Sequence, residues 1–147
     1  MVTSMSGGHA GEVRERSGRW VALVILAALP LYLLHLGPES LIGHDEALYG
    51  MRARLMLDTG DFIHPFAEPH HKPPGYYWLL AAVFELFGRS EATARLPNAF
   101  LAVAVLFLTH RIACHVMSAR AALLSTALLA VTPYFVHHAR LAAPDMS

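Results

Sequence analysis

Cysteine is almost absent from this chain. A single residue, Cys114, excludes an internal disulfide and any cysteine-based metal site. Charge is scarce as well. Charged residues make up 15% of the sequence, and bases and acids balance to a formal net charge of zero. That balance argues against nucleic acid as a partner. A cleavable signal peptide has no support beyond its general layout, because no small-x-small site follows the first apolar run, only Gly37-Pro38-Glu39. What the chain does have is apolar residues, 55% of the total, with a mean hydropathy of +0.42. They are gathered in blocks, which is the pattern of a membrane protein.

The first block, Trp20 to Leu36, is about 25 Å long as a helix. That is near the lower limit for crossing a bilayer. Pro30 is tolerable inside such a helix. Arg14, Arg16 and Arg19 precede it and set the amino end in the cytoplasm. The second block, Leu96 to Met117, extends about 33 Å, with His110, Arg111 and His115 placed to snorkel at its end. Ser118 to Arg120 turns the chain, and Ala121 to Val136 forms a third span of about 24 Å. The expected fold class is all-α membrane. It has three transmembrane helices (about 20–36, 96–117 and 121–136), a polar cytoplasmic leader (1–19) and a long outer-face loop (37–95).

That loop carries five basic and eight acidic residues. After Asp45, the helical spacing of Leu48, Met51 and Leu55 predicts a short amphipathic helix on the membrane surface, with Arg52, Arg54 and Asp58 facing elsewhere. Thr59-Gly60-Asp61 ends it. Four prolines between His64 and Pro74 exclude regular helix there. Gly75 to Phe87, opening with Tyr76-Tyr77-Trp78, reaches only about 20 Å and reads as interfacial rather than spanning. A crossing at that point would put Asp145 on the opposite side from Asp45. It would also put the Arg111–Arg120 tip outside. With three crossings both acids share the outer face.

Gly43-His44-Asp45-Glu46-Ala47-Leu48-Tyr49, Thr59-Gly60-Asp61-Phe62-Ile63-His64-Pro65 and Lys72-Pro73-Pro74-Gly75-Tyr76-Tyr77-Trp78 occur in that order. Arg95-Leu96-Pro97 and Arg140-Leu141-Ala142-Ala143-Pro144-Asp145 follow. From Trp20 onward the chain resembles the start of a GT-C glycosyltransferase. The group is that of protein O-mannosyltransferases, the aminoarabinose transferase of lipid A and related lipopolysaccharide sugar transferases. The resemblance implies a partial GT-C fold in a multi-pass protein of the bacterial inner membrane. It implies a polyprenyl-phosphate sugar donor, a lipid, polysaccharide or protein acceptor, and transfer of a hexosyl or pentosyl group at the outer face. It further implies a catalytic carboxylate at Asp45 with Glu46 beside it, a donor-phosphate contact at Lys72 with Arg52 as a further candidate, and a second acidic position at Asp145. Members of the group are several times longer, so the chain is expected to be an amino-terminal fragment, inactive by itself. It departs from the lipid A branch at His71, where those relatives carry Glu. A divalent metal is a candidate cofactor, with His71 as its candidate ligand.

The chemistry also follows from the residue types. Sugar transfer from a phosphate needs a base for the acceptor proton, which a fixed carboxylate supplies. The leaving phosphate needs positive charge rather than an acid, and a lysine or a divalent metal supplies it. Each residue has a plainer role beside this one. Asp45 and Glu46 suit the dipole of a helix start, and Asp145 suits the cap of a following helix. Lys72 suits a headgroup anchor, and Arg52 and Arg54 suit lipid-facing polar positions. Tyr76, Tyr77 and Trp78 suit interface anchors, and His137-His138 suits the membrane surface. The alternative from another class is a small membrane metal-binding or transport protein built on His44, His64, His70 and His71. It would place paired ionisable groups within the spans, and the span centres carry none.

Overall fold

The computed structural model describes residues 6–37, 41, 43–63 and 74–143, with side chains from residue 18 onward except at 43–45. Those residues form six helices: α1 (Ser6–Leu33), α2 (Gly43–Thr59), α3 (Gly75–Phe87), α4 (Glu91–Val116), α5 (Ala119–Val131) and α6 (Pro133–Ala139). No strand occurs among the described residues.

Local chemistry sets most of the boundaries. Gly60 stops α2 in the left-handed conformation (φ 72°), its N–H donating to the Met56 carbonyl at 3.0 Å. Only glycine takes that conformation without steric cost. Gly88 ends α3 at a positive φ too (φ 85°, ψ 166°), in a more extended conformation that also favours glycine. Ser90 and Thr93 form a reciprocal capping box at the head of α4, which satisfies two of the helix's orphan donors. The second apolar helix therefore begins at Glu91, a full turn before the first residue of the expected span. At the other end, α1 continues back to Ser6 through the stretch expected to be a polar leader.

The expected third span is not one helix. α5 stops at Val131 and α6 leaves it at 63°. Pro133 has no N–H to give Leu129, so the ladder fails there. Thr132 repairs it, donating its N–H to Leu129 O (3.1 Å) and its hydroxyl to Leu128 O (2.8 Å). The Tyr32 hydroxyl reaches across from α1 to Ala130 O at 2.7 Å. Among the described residues α4 alone is a single helix long and apolar enough to cross a membrane, and α5 with α6 is a second if the bent pair counts as one. The apolar part of α1, Gly18–Leu33, and α3 are shorter.

Two cores meet on α4. One joins Ala28 and Tyr32 of α1 to Ala99, Ala102 and Leu106 of α4, Ala130 of α5 and Phe135 and Ala139 of α6. The contacts are mostly alanines, which let helices approach closely where lipid gives no hydrophobic drive. The other joins Tyr49, Ala53 and Met56 of α2 to Tyr77, Leu80 and Phe84 of α3, with Ala94, Ala142 and Ala143. Leu23, Leu26, Phe100, Phe107, Leu108, Leu124 and Leu128 point outward, an apolar coat suited to a lipid solvent.

Three expectations about facing are corrected. α2 buries Tyr49, Arg52, Ala53 and Met56, while Met51 is 57% exposed. Its inner face is thus rotated from the predicted Leu48–Met51–Leu55 stripe, because Tyr77 on α3 accommodates a buried arginine. Tyr76 and Tyr77 are interior and only Trp78 faces out, its Nε1 donating to Phe62 O at 2.8 Å. His110 does not snorkel. It is buried, with Nε2 3.5 Å from Cys114 Sγ.

Candidate active site

The second residue of the Asp45-Glu46 pair lies at the centre of a buried junction. Glu46 and Arg95 form an ion pair whose side chains are 4% and 7% exposed. Arg95 Nε donates to Glu46 Oε1 (3.3 Å) and Nη2 donates to Oε2 (3.2 Å), the two-pronged geometry that a guanidinium gives a carboxylate. A third donor, Nη1, reaches Leu36 O at 2.5 Å, just past the end of α1. On the other side, Glu46 Oε1 accepts the Ala142 N–H at 2.6 Å. One ion pair therefore joins the end of α1, the first turn of α2, the head of α4 and the chain after α6. Lone pairs on both carboxylate oxygens are occupied, so burial does not leave the charge unpaired.

Neighbouring contacts tighten the same end. Asn98, fully buried on α4, donates from Nδ2 to His138 O (3.2 Å) and to Ala143 O (2.5 Å). Arg140 donates to Leu31 O (2.7 Å) and His35 O (3.3 Å), supplying cations and donors to the carboxyl end of α1. His35 there holds φ 57°, a left-handed conformation that histidine adopts more readily than most residues. Between these groups opens a cavity of about 360 Å³, lined by His35, Leu36, Glu46, Arg95, His137, Arg140 and Leu141. Arginines, imidazoles and a carboxylate over a leucine floor suit a ligand with both charged and apolar parts.

Asp45 immediately precedes Glu46, in the first turn of α2, and its backbone is therefore carried by the junction. Ala143, the last described residue of the following segment, lies two positions before Asp145. Asp145, Lys72 and His71 are outside the described residues. So are His64, His70 and the side chain of His44, on which the metal-carrier alternative depends. Among the described residues no three His, Cys, Asp or Glu side chains assemble to hold a metal. Arg52 is not at the cavity. It lies about two turns along α2, donating Nη1 to the Tyr77 hydroxyl at 3.0 Å with its guanidinium 5.6 Å from the Tyr77 ring centroid.

Sequence reasoning assigned no role to Arg95, Asn98 or Arg140, although Arg95 and Arg140 open two of the motifs. A charged residue inside an otherwise apolar block was the available signal, since such a charge must find a partner.

A family profile described as dolichyl-phosphate-mannose-protein mannosyltransferase matches residues 71–147. A protein of Aquifex aeolicus (strain VF5), bearing only the name "uncharacterized protein", is 31% identical over 128 residues, covering 84% of this chain and 26% of its own length. The undecaprenyl phosphate-alpha-4-amino-4-deoxy-L-arabinose arabinosyl transferase of Pseudomonas savastanoi pv. phaseolicola (strain 1448A / Race 6) is 36% identical over 89 residues, 58% of this chain and 16% of that protein. The enzyme of the same name from Shewanella sediminis (strain HAW-EB3) is 35% identical over 88 residues, again 58% and 16%. The chain thus spans about a quarter or less of the curated relatives it matches. No solved structure matches it.

Proposed function

The chain belongs to the dolichyl-phosphate-mannose-protein mannosyltransferase family, and from that membership we propose that it builds the amino-terminal part of the active site of an integral membrane glycosyltransferase. The donor is a polyprenyl-phosphate sugar, and the acceptor is a hydroxyl on a lipid, polysaccharide or protein. Transfer takes place at the outer face of a bacterial inner membrane.

The observation that carries this reading is the Glu46–Ala142 hydrogen bond, which closes across 96 positions. It brings the helix start bearing Asp45 to the segment that leads into Asp145. The chain segments next to the two acidic positions thus meet, which supports the three-crossing topology proposed for them. In that topology α1, α4 and the bent α5–α6 pair cross the membrane with the amino end inside. The ends of α1 and α6 and the start of α2 then lie outside, while the turn at Ser118, flanked by Arg111 and Arg120, lies in the cytoplasm.

Asp45 is the proposed base. The acceptor oxygen attacks the anomeric carbon and gives its proton to the Asp45 carboxylate. The bond from that carbon to the phosphate oxygen breaks, and its electron pair leaves with the phosphate. One displacement inverts the anomeric centre, with no covalent enzyme intermediate. The Lys72 ammonium offsets the charge of the departing phosphate, and a divalent cation held in part by His71 would serve the same end. Asp145 is proposed as the second acid facing the reaction. The cavity beside Glu46, with Arg140, His35 and His137 on its walls, is proposed to receive the polar end of the acceptor.

The test is Asp45→Asn in the complete protein. Asparagine keeps the size and the helix-start preference but takes no proton. Turnover should fall on the order of 10² or more, with membrane insertion and donor binding near normal. Near-native turnover at equal protein level would leave Asp45 as a helix cap only.

A further inference from the structure

We infer that Arg95, acting through Glu46, is a positioning residue for the proposed base: the buried pair is a clasp that sets where the first turn of α2 stands. The inference rests on Asp45 as base and adds what holds it in register.

The clasp ties that turn to three other parts of the fold. The body of α2 is anchored on α3 through Tyr49, Ala53 and Met56. Those contacts begin one turn beyond Asp45. Upstream of them, Glu46 joins α2 to Arg95 and to Ala142, and Arg95 holds the pair to Leu36 O. A helix rises about 1.5 Å per residue, so any shift of Glu46 passes to Asp45 almost undiminished. A displacement of about 1 Å at a reacting group can cost on the order of 10²-fold in rate.

Stability is a poor explanation for this arrangement. Two ions removed from water lose hydration that their attraction barely restores, and apolar pairs of the same volume are often as stable. What the ion pair gives that leucines would not is direction. A guanidinium has donors in a rigid fork, and here three of them are fixed on three acceptor atoms. Lysine is a point charge and cannot hold the carboxylate from two sides while also reaching Leu36 O. The donor phosphate is assigned to Lys72, so the clasp is expected to act on the chemical step rather than on donor capture.

The experiment compares Arg95→Lys, Asp45→Asn and the double variant in the complete protein, measuring kcat, the KM for a polyprenyl-phosphate sugar donor and the amount inserted in the membrane. Arg95→Lys should lower kcat about 10- to 100-fold and leave the donor KM within about threefold. The double variant should be no slower than Asp45→Asn alone, because residues that act as one unit are not additive. Near-native kcat in Arg95→Lys, beside a slow Asp45→Asn, overturns the clasp and leaves the base assignment standing. A double variant slowed by the product of the two single effects also overturns it. Near-native kcat in Asp45→Asn overturns the base assignment instead, and the coupling with it. Should Arg95→Lys fail to insert, Glu46→Gln answers the same question. Its amide oxygen still accepts from Ala142, while the charge pair is gone. A fall in kcat of about 10-fold or more at unchanged donor KM supports the clasp, and native kcat overturns it.

Discussion

Arg52 illustrates how this chain sets a buried charge against an aromatic ring. It is 5% exposed, yet the partner of its Nη1 is a phenol, Tyr77, at 3.0 Å, with the same ring 5.6 Å from the guanidinium carbon. The aromatic face and the hydroxyl both help to solvate it. Tyr77→Phe keeps the ring and removes the oxygen. It should cost about 1–2 kcal/mol, read as a lower thermal midpoint in detergent at unchanged donor KM. A raised donor KM at native stability would instead assign Arg52 to the phosphate, as the resemblance implies. The local motifs made Asp45, Glu46 and Arg52 legible as candidates. The partners of Glu46 and Arg52 were not legible, because Arg95 and Tyr77 lie 49 and 25 positions away and no local pattern encodes such distances.

Two helix boundaries were legible from a local signal, while the Ser90–Thr93 cap that starts α4 was passed over because the apolar block begins only at Leu96. Thr59-Gly60-Asp61 ends α2 and Gly75 opens α3, where their turn chemistry places them. The break between α5 and α6 was hidden because apolar residues continue on both sides of Pro133. Hydropathy reads through such a site, and whether a proline kinks a helix or starts a new one is settled by what can cap the loose carbonyls. Here Thr132 and Tyr32 do so. Tyr32→Phe strips the hydroxyl from Ala130 O and should cost about 1–3 kcal/mol, measured as a lower unfolding midpoint in detergent. An unchanged midpoint would remove that bond from the account of the joint. The rotated face of α2 was hidden for a related reason. Periodicity counts apolar residues, and it sorted Arg52 with the outward-facing charges.

Taken as a whole, the chain has its polar junctions at one end of the helices and the Ser118 turn at the other, which makes sidedness measurable. With Cys114, the only native cysteine, replaced by serine, cysteines at Asp61 and Asp145 should both react with an impermeant thiol reagent from outside. A cysteine at Arg120 should react only after the membrane is opened. Opposite labelling of Asp61 and Asp145 would sink the three-crossing topology. The junction that carries this sidedness also imposes an order on synthesis. Glu46 leaves the ribosome 96 residues ahead of Ala142, which at about 5–20 residues per second is a lead of roughly 5 to 20 s. Arg95 arrives about half way through that interval. Its arginine partner is therefore available while the nascent chain is still growing, and the Ala142 amide comes later. Until the third apolar element has been made, the acceptor site that Ala142 fills on Glu46 is open to water. The hydrogen bond to Ala142 thus marks a chain in which all six described helices have already been made.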